Sequence, residues 1–215
     1  MMEEKPQAKV GQMVERAIPD RIGIWAQSSG QTQEDSLVKA SQNGDMLAFN
    51  RLVLKWEKTV FNIALRMLKE REEAAEATQE IFLRAYRNID RFRRTSRFSS
   101  WIYRIALNHC ISRIRQRPPG IHLSLDEPNS AANPPKQLRV TENQLDQLMR
   151  FEQRDRVLRA LEYLSPEQRA VVELKFFQGM IFEDIAGVLE IPLSTVKSRL
   201  YAGLEILKVH LAEKA

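Results

Sequence analysis

Apolar residues recur along this chain at steps of three and four, and almost nowhere in strict alternation. That period belongs to helices with one buried face, so the pattern predicts an all-α protein. From Leu37 to Leu68 the apolar positions, among them Ala40, Phe49, Leu52, Trp56, Val60, Ile63 and Ala64, fit two helices. Asn43-Gly44-Asp45 supplies the turn between them. A third helix, Arg71 to about Ile89, turns Ala74, Ala77, Ile81, Ala85 and Tyr86 to one side. The stretch RFRRTSRFSS then breaks the pattern. A fourth helix is expected to start at Ser99 or Ser100, both good N-cap residue types, and to run to about Arg115. Tyr103, Ala106, Leu107, Cys110, Ile111 and Ile114 share one arc of that helix, the expected core side. Trp101, Arg104, Asn108, Ser112 and Arg115 share another.

Residues 116–140 hold PPG, EPNS and ANPP, which cannot build a packed helix and are expected to form a flexible linker. Fully extended, residues 116–135 would span about 60–70 Å. Helical patterning resumes over 141–215. Ser165-Pro166-Glu167-Gln168 has an N-cap serine, proline at the first helical position and glutamine at the capping-box position, and Gly179 ends that segment. A short helix, Phe182–Leu189, leads through Glu190-Ile191-Pro192 into a longer one, Leu193–Ala212, the pattern of a helix-turn-helix. Ala186 and Gly187 are small enough to permit its close crossing. Leu193, Val196, Leu200, Leu204, Leu207 and Leu211 make a core stripe on the longer helix. Ser194, Thr195, Lys197, Ser198, Arg199 and Tyr201 lie opposite, near its N-terminus, as a helix that enters a major groove requires.

The expected architecture is therefore two helical domains, 34–115 and 141–215, joined by the linker 116–140. Residues 1–33, punctuated by Pro6, Gly11, Pro19 and Gly23, read as a poorly ordered extension with at most a short helix near 10–17.

Charge sharpens this picture. The chain has 215 residues and a net charge of +5, but the excess is local: from Arg84 to Arg117, Asp90 is the only acid among many arginines. A block of one sign points to a polyanionic partner. Trp101 among arginines, beside the amide of Asn108, suits stacking on an unpaired base; a half-buried tryptophan under arginine stems explains it equally well. Glu72, Glu73, Glu76 and Glu80 open the third helix, where they suit the helix dipole or a basic partner.

The lone Cys110 excludes an internal disulfide, and the three histidines are scattered, so no metal site is expected. A Gly-rich phosphate loop and a nucleophile with an evident base are both missing, so neither catalytic residues nor a cofactor are expected. No apolar run is long enough to span a bilayer and the first residues lack a signal-peptide core, so a cytoplasmic protein without membrane insertion of its own is expected.

Taken in order, four segments resemble the extracytoplasmic function (ECF) sigma factors of bacterial RNA polymerase. DSLVKASQNGDMLAFNRLV resembles the family's first helix pair, and EEAAEATQEIFLRAYRNIDRF its polymerase-binding helix. FSSWIYRIALNHCISRIRQR resembles the helix that reads and melts the −10 element. LSPEQRAVVELKFFQGMIFEDIAGVLEIPLSTVKSRLYAGLEIL resembles the −35-reading helix-turn-helix.

The resemblance implies that Glu76, Gln79 and Glu80 dock on the clamp of the polymerase's largest subunit. It implies that Arg93, Arg97, Trp101, Arg104, Asn108, Ser112 and Arg115 engage −10 DNA, and that Ser194, Thr195, Lys197, Ser198, Arg199 and Tyr201 engage −35 DNA. The implied partners are core RNA polymerase, promoter DNA and an anti-sigma factor. Two departures stand out. AGLE follows KSRLY where the family continues with basic residues, which should weaken distal phosphate contacts, and Ala77 replaces a bulkier apolar residue. Read without the resemblance, the residues also admit a freestanding helix-turn-helix regulator, or a binding module that titrates an anti-sigma factor.

Overall fold

The computed structural model describes residues 11, 12, 14, 31–93, 96–117 and 154–212, and the secondary structure among them is helical, with no strand. The N-terminal half begins with α1 (Gln31–Gln42), slightly ahead of the expected start at Glu34. Asp45 then caps α2 (Met46–Leu68), its carboxylate accepting from the Ala48 N–H. Lys69 closes α2 in the left-handed region, φ 75°. The Glu70 side chain caps α3 (Arg71–Asn88), which runs into a tight turn at Ile89–Arg91. The Gln42 amide donates to the carbonyls of Ile89 (3.0 Å) and Phe92 (2.7 Å), tying the end of α1 to that turn.

The fourth helix, α4 (Phe98–Gln116), corrects one expectation. Neither Ser99 nor Ser100 caps it: Arg97 holds the cap position, its side chain making no capping bond to the first turn, and Ser99 lies buried within that turn. The cause is Phe98, which is buried against Phe92 (6.1 Å) and Trp101 (5.6 Å) and draws the helix start forward. Aromatic packing outweighs the cap, which is worth only about 1 kcal/mol.

The core of this half is built from Leu52, Trp56, Ile63 and Met67 of α2 against Ile102, Tyr103, Leu107 and Cys110 of α4. Ala74, Ala77 and Ala85 give α3 a small-residue face that lets it approach closely. Tyr86, expected on that face, is instead exposed and meets Phe49 edge-on at 5.1 Å.

In the C-terminal half, residues 154–160 are helical and a tight turn follows at Leu161–Tyr163. The capping box forms in full at the start of α5 (Pro166–Val172), and that helix widens into a π turn at Glu173–Phe177. Gly179, φ 70°, ends the segment. α6 (Phe182–Leu189) and α7 (Leu193–Ala212) follow as the helix-turn-helix, with Glu190 in the left-handed region between them. Val196, Leu200, Leu204, Leu207 and Leu211 are buried as expected, and Leu193 is half-buried.

The expected role of Gly187 is not met: the glycine is exposed with open space where a Cβ would stand. The close approach lies at Gly203, where a Cβ would meet Leu164 at 3.5 Å, Gln168 at 3.6 Å and Val172 at 3.7 Å. Near the N-terminus Gly11, Gln12 and Val14 are helical, Val14 is fully buried, and Gly11 faces the Phe176 ring. The rest of the extension before residue 31, the linker over 118–140 and residues 141–153 lie outside the described residues.

Candidate nucleic-acid interface

Two basic faces emerge from this fold. On the first, Phe92, Phe98 and Trp101, on either side of the loop that enters α4, form an aromatic cluster. Phe92 and Trp101 rings are 5.0 Å apart, and Trp56 lies behind Phe98 at 6.3 Å. Trp101 is only half-buried, so it belongs to the core and to the surface at once. Arg93 and Arg97 are exposed at the loop's two ends. Asn108 and Ser112 are exposed one and two turns beyond Arg104.

The remaining two members of the stripe are engaged. Arg104 donates to the Gly187 carbonyl (2.7 Å) and the Val188 carbonyl (2.9 Å) and pairs with Glu190. Arg115 pairs with Glu167 at 2.6 Å. That pairing, together with a backbone hydrogen bond, holds the Glu167 carboxyl below its ordinary value, although burial alone would raise it.

The second face is the start of α7. Ser194, Lys197, Ser198 and Tyr201 are exposed, while Thr195 and Arg199 are half-buried. The Ser198 hydroxyl donates to the Thr195 carbonyl at 3.1 Å. Lys197 lies 5.9 Å and Lys175 4.7 Å from the centre of the Phe182 ring, so Phe182 gathers two ammonium groups beside the start of α7. Sequence reasoning missed Lys175 because its element precedes the helix-turn-helix pattern.

A third face, on α3, is acidic and apolar. Glu76, Gln79 and Glu80 are exposed at helical spacing. Leu83, 54% exposed, continues the same side, an apolar contact that reasoning about charge passed over. Arg113 of α4 pairs with Glu76 at 3.1 Å. His109 lies 3.6 Å from Glu80, is buried, and neither ring nitrogen has a hydrogen-bond partner. Burial, then Arg84, lower its pKa from the ordinary value.

Among the described residues no group of three or more His, Cys, Asp or Glu is placed to hold a metal. No helix of the described residues is long and apolar enough to cross a membrane.

Comparison with known proteins gives these faces a context. Residues 52–118 match the family description Sigma-70 region 2, and residues 154–207 match Sigma-70, region 4. The chain is 33% identical over 181 residues to the RNA polymerase sigma-H factor of Pseudomonas aeruginosa, covering 82% of this chain and 93% of that protein. It is 32% identical over 178 residues to the ECF RNA polymerase sigma factor SigW of Bacillus subtilis, covering 82% and 95%. Against the ECF RNA polymerase sigma-E factor of Escherichia coli it is 30% identical over 182 residues, covering 83% and 94%.

The fold is similar to that of CnrH, solved with the cytosolic domain of CnrY, at a TM-score of 0.60 and 19% identity over 85% of this chain and 99% of CnrH. It is also similar to the sigma factor RpoE of Bartonella quintana, solved with the anti-sigma factor NepR, at a TM-score of 0.54 and 23% identity over 78% and 98%.

Proposed function

The chain belongs to the ECF sigma factors and works in transcription initiation with RNA polymerase; from that premise we propose how its three faces divide the work. The α3 face of Glu76, Gln79 and Glu80, extended by Leu83, binds the clamp of the polymerase's largest subunit. Carboxylates meet basic residues there and Leu83 supplies apolar contact. The α4 face holds the opened −10 element. Arg93, Arg97, Arg104 and Arg115 bind phosphates, Trp101 stacks on a base, Asn108 reads a base edge and Ser112 supports the backbone. The start of α7 enters the major groove at the −35 element. Lys197, Ser198 and Tyr201 face bases while Ser194, Thr195 and Arg199 bind phosphates.

As an initiation factor the chain is not an enzyme: polymerase supplies the chemistry, and these residues position DNA. Domains 34–115 and 141–215 act as the two DNA-binding units, with the linker 116–140 reaching between elements on the order of 50 Å apart. The protein acts where RNA polymerase acts, in the cytoplasm, and an anti-sigma factor controls it.

The observation that carries this reading is Asn108: an exposed amide on an arginine-rich helix face, two turns from a half-buried tryptophan. Nothing in the packing of the core requires an amide there. Asn108→Ala should lower open-complex formation about tenfold or more at a cognate promoter, because one base contact is worth about 1–3 kcal/mol, and it should leave core-polymerase binding intact. Parallel loss of polymerase binding would show that Asn108 has been assigned to the wrong partner.

A further inference from the structure

Four ion pairs cross between the N-terminal and C-terminal halves among the described residues, and all four have the same polarity. Arg66, Lys69, Arg104 and Arg115 supply the cations from the N-terminal half. Glu173, Glu162, Glu190 and Glu167 supply the carboxylates from the C-terminal half. Arg66 meets Glu173 with two parallel hydrogen bonds, 2.6 and 2.7 Å long, and the Glu173 side chain is 2% exposed. Gln178 donates to the same carboxylate (2.9 Å) and accepts from the Tyr103 hydroxyl (2.9 Å), so the buried end of this contact is a connected polar network. At its outer end, Arg104 and Arg115 are two of the cations assigned above to the −10 strand.

We propose that this is a self-docked resting state, in which carboxylates of the helix-turn-helix domain occupy part of the −10 DNA site as an intramolecular decoy. The helix-turn-helix lies directly against α4 here, whereas the two promoter elements are on the order of 50 Å apart. One molecule therefore cannot hold this contact and both elements together. Strand phosphates and Glu167 and Glu190 compete for the same guanidiniums. The exposed outer pairs weaken with salt, while the buried Arg66–Glu173 fork gives the docking its register. The geometry of the docked state stands without DNA; its decoy role rests on the promoter reading above.

The test uses the full chain, with Cys110 replaced by serine and spin labels at Glu57→Cys on α2 and Glu205→Cys on α7. Both positions are exposed and lie outside the four pairs. The expected result is one narrow distance distribution at low salt, which lengthens and broadens in Glu167→Gln/Glu190→Gln. A distribution already broad, and identical in the variant, overturns the docked state.

A second arm measures binding of a mixed-sequence single-stranded oligonucleotide. Glu183→Gln/Asp184→Asn on α6 removes the same charge outside the contact and serves as control. The decoy variant should bind about fivefold more tightly, as expected when a competing state is removed, and the control less than about twofold. Equal gains in the two variants overturn the decoy. If none of the proteins binds the oligonucleotide, the promoter reading falls and the decoy role with it, while the distance measurement still decides docking.

Discussion

At the scale of single residues, His109 and Arg169 do the work that the sequence least advertised. His109 sits between α3 and α4, facing Glu80, Arg84 and Arg113, and burial keeps it neutral with a pKa below its ordinary value. A histidine whose pKa is lowered on folding takes up its proton more readily in the unfolded chain. Its contribution is therefore whole above the unfolded pKa of about 6.5 and is lost as pH falls through it. Denaturant melts should show stability falling between pH 7 and 5, and His109→Gln should flatten that slope. A parallel profile in the variant would place the titration elsewhere.

Arg169 is buried and donates to the carbonyls of Met67 (2.7 Å), Leu161 (3.0 Å), Glu162 (3.3 Å) and Leu164 (3.4 Å). Burial pushes its guanidinium down to about 10, which leaves it charged at neutral pH. Arg169→Met strands four carbonyls and should cost about 3 kcal/mol in equilibrium unfolding, without a change in the pH profile. A loss below about 1 kcal/mol would mean that water replaces the guanidinium freely. Both residues escape a reading by period, since a buried arginine and a buried histidine look in sequence like surface residues.

Among the elements, α7 shows how far pattern reaches. Its leucine stripe and its N-terminal polar cluster were legible because a 3.6-residue period sorts them directly. The capping box at Ser165 was legible for the same reason: it is a local rule with local partners. The start of α4 was not, because Phe98 is fixed by rings at Phe92 and Trp56, and no local rule reports those contacts. That the close approach falls at Gly203 and not at Gly187 was hidden for a similar reason, since which glycine meets another helix depends on the crossing.

Beyond Tyr201, α7 carries exposed Ala202 and exposed Glu205, the latter 3.8 Å from Lys208. Ala202→Arg should add one phosphate contact, so the slope of log K against log salt for −35 duplex binding should steepen by about 0.9. An unchanged slope would put this end of the helix away from DNA.

For the whole molecule, the sequence announced two helical domains and their order, but not that they dock. Arg66 and Glu173, or Arg104 and Glu190, are far apart in the chain and belong to no common period. Only packing brings them together, and it brings them together with one polarity. Three faces follow from this arrangement: acidic on α3, arginine-rich on α4, basic at the start of α7. In the docked form the second is partly covered by the domain that carries the third.

The most direct measurement of the central claim is run-off transcription with bacterial core polymerase on templates carrying candidate promoters. The expected result is a discrete transcript that requires this chain and a particular −10 and −35 pair, and that falls about tenfold or more with Asn108→Ala while the polymerase complex persists. Stable association with core polymerase and no promoter-dependent transcript from any cognate template would contradict it.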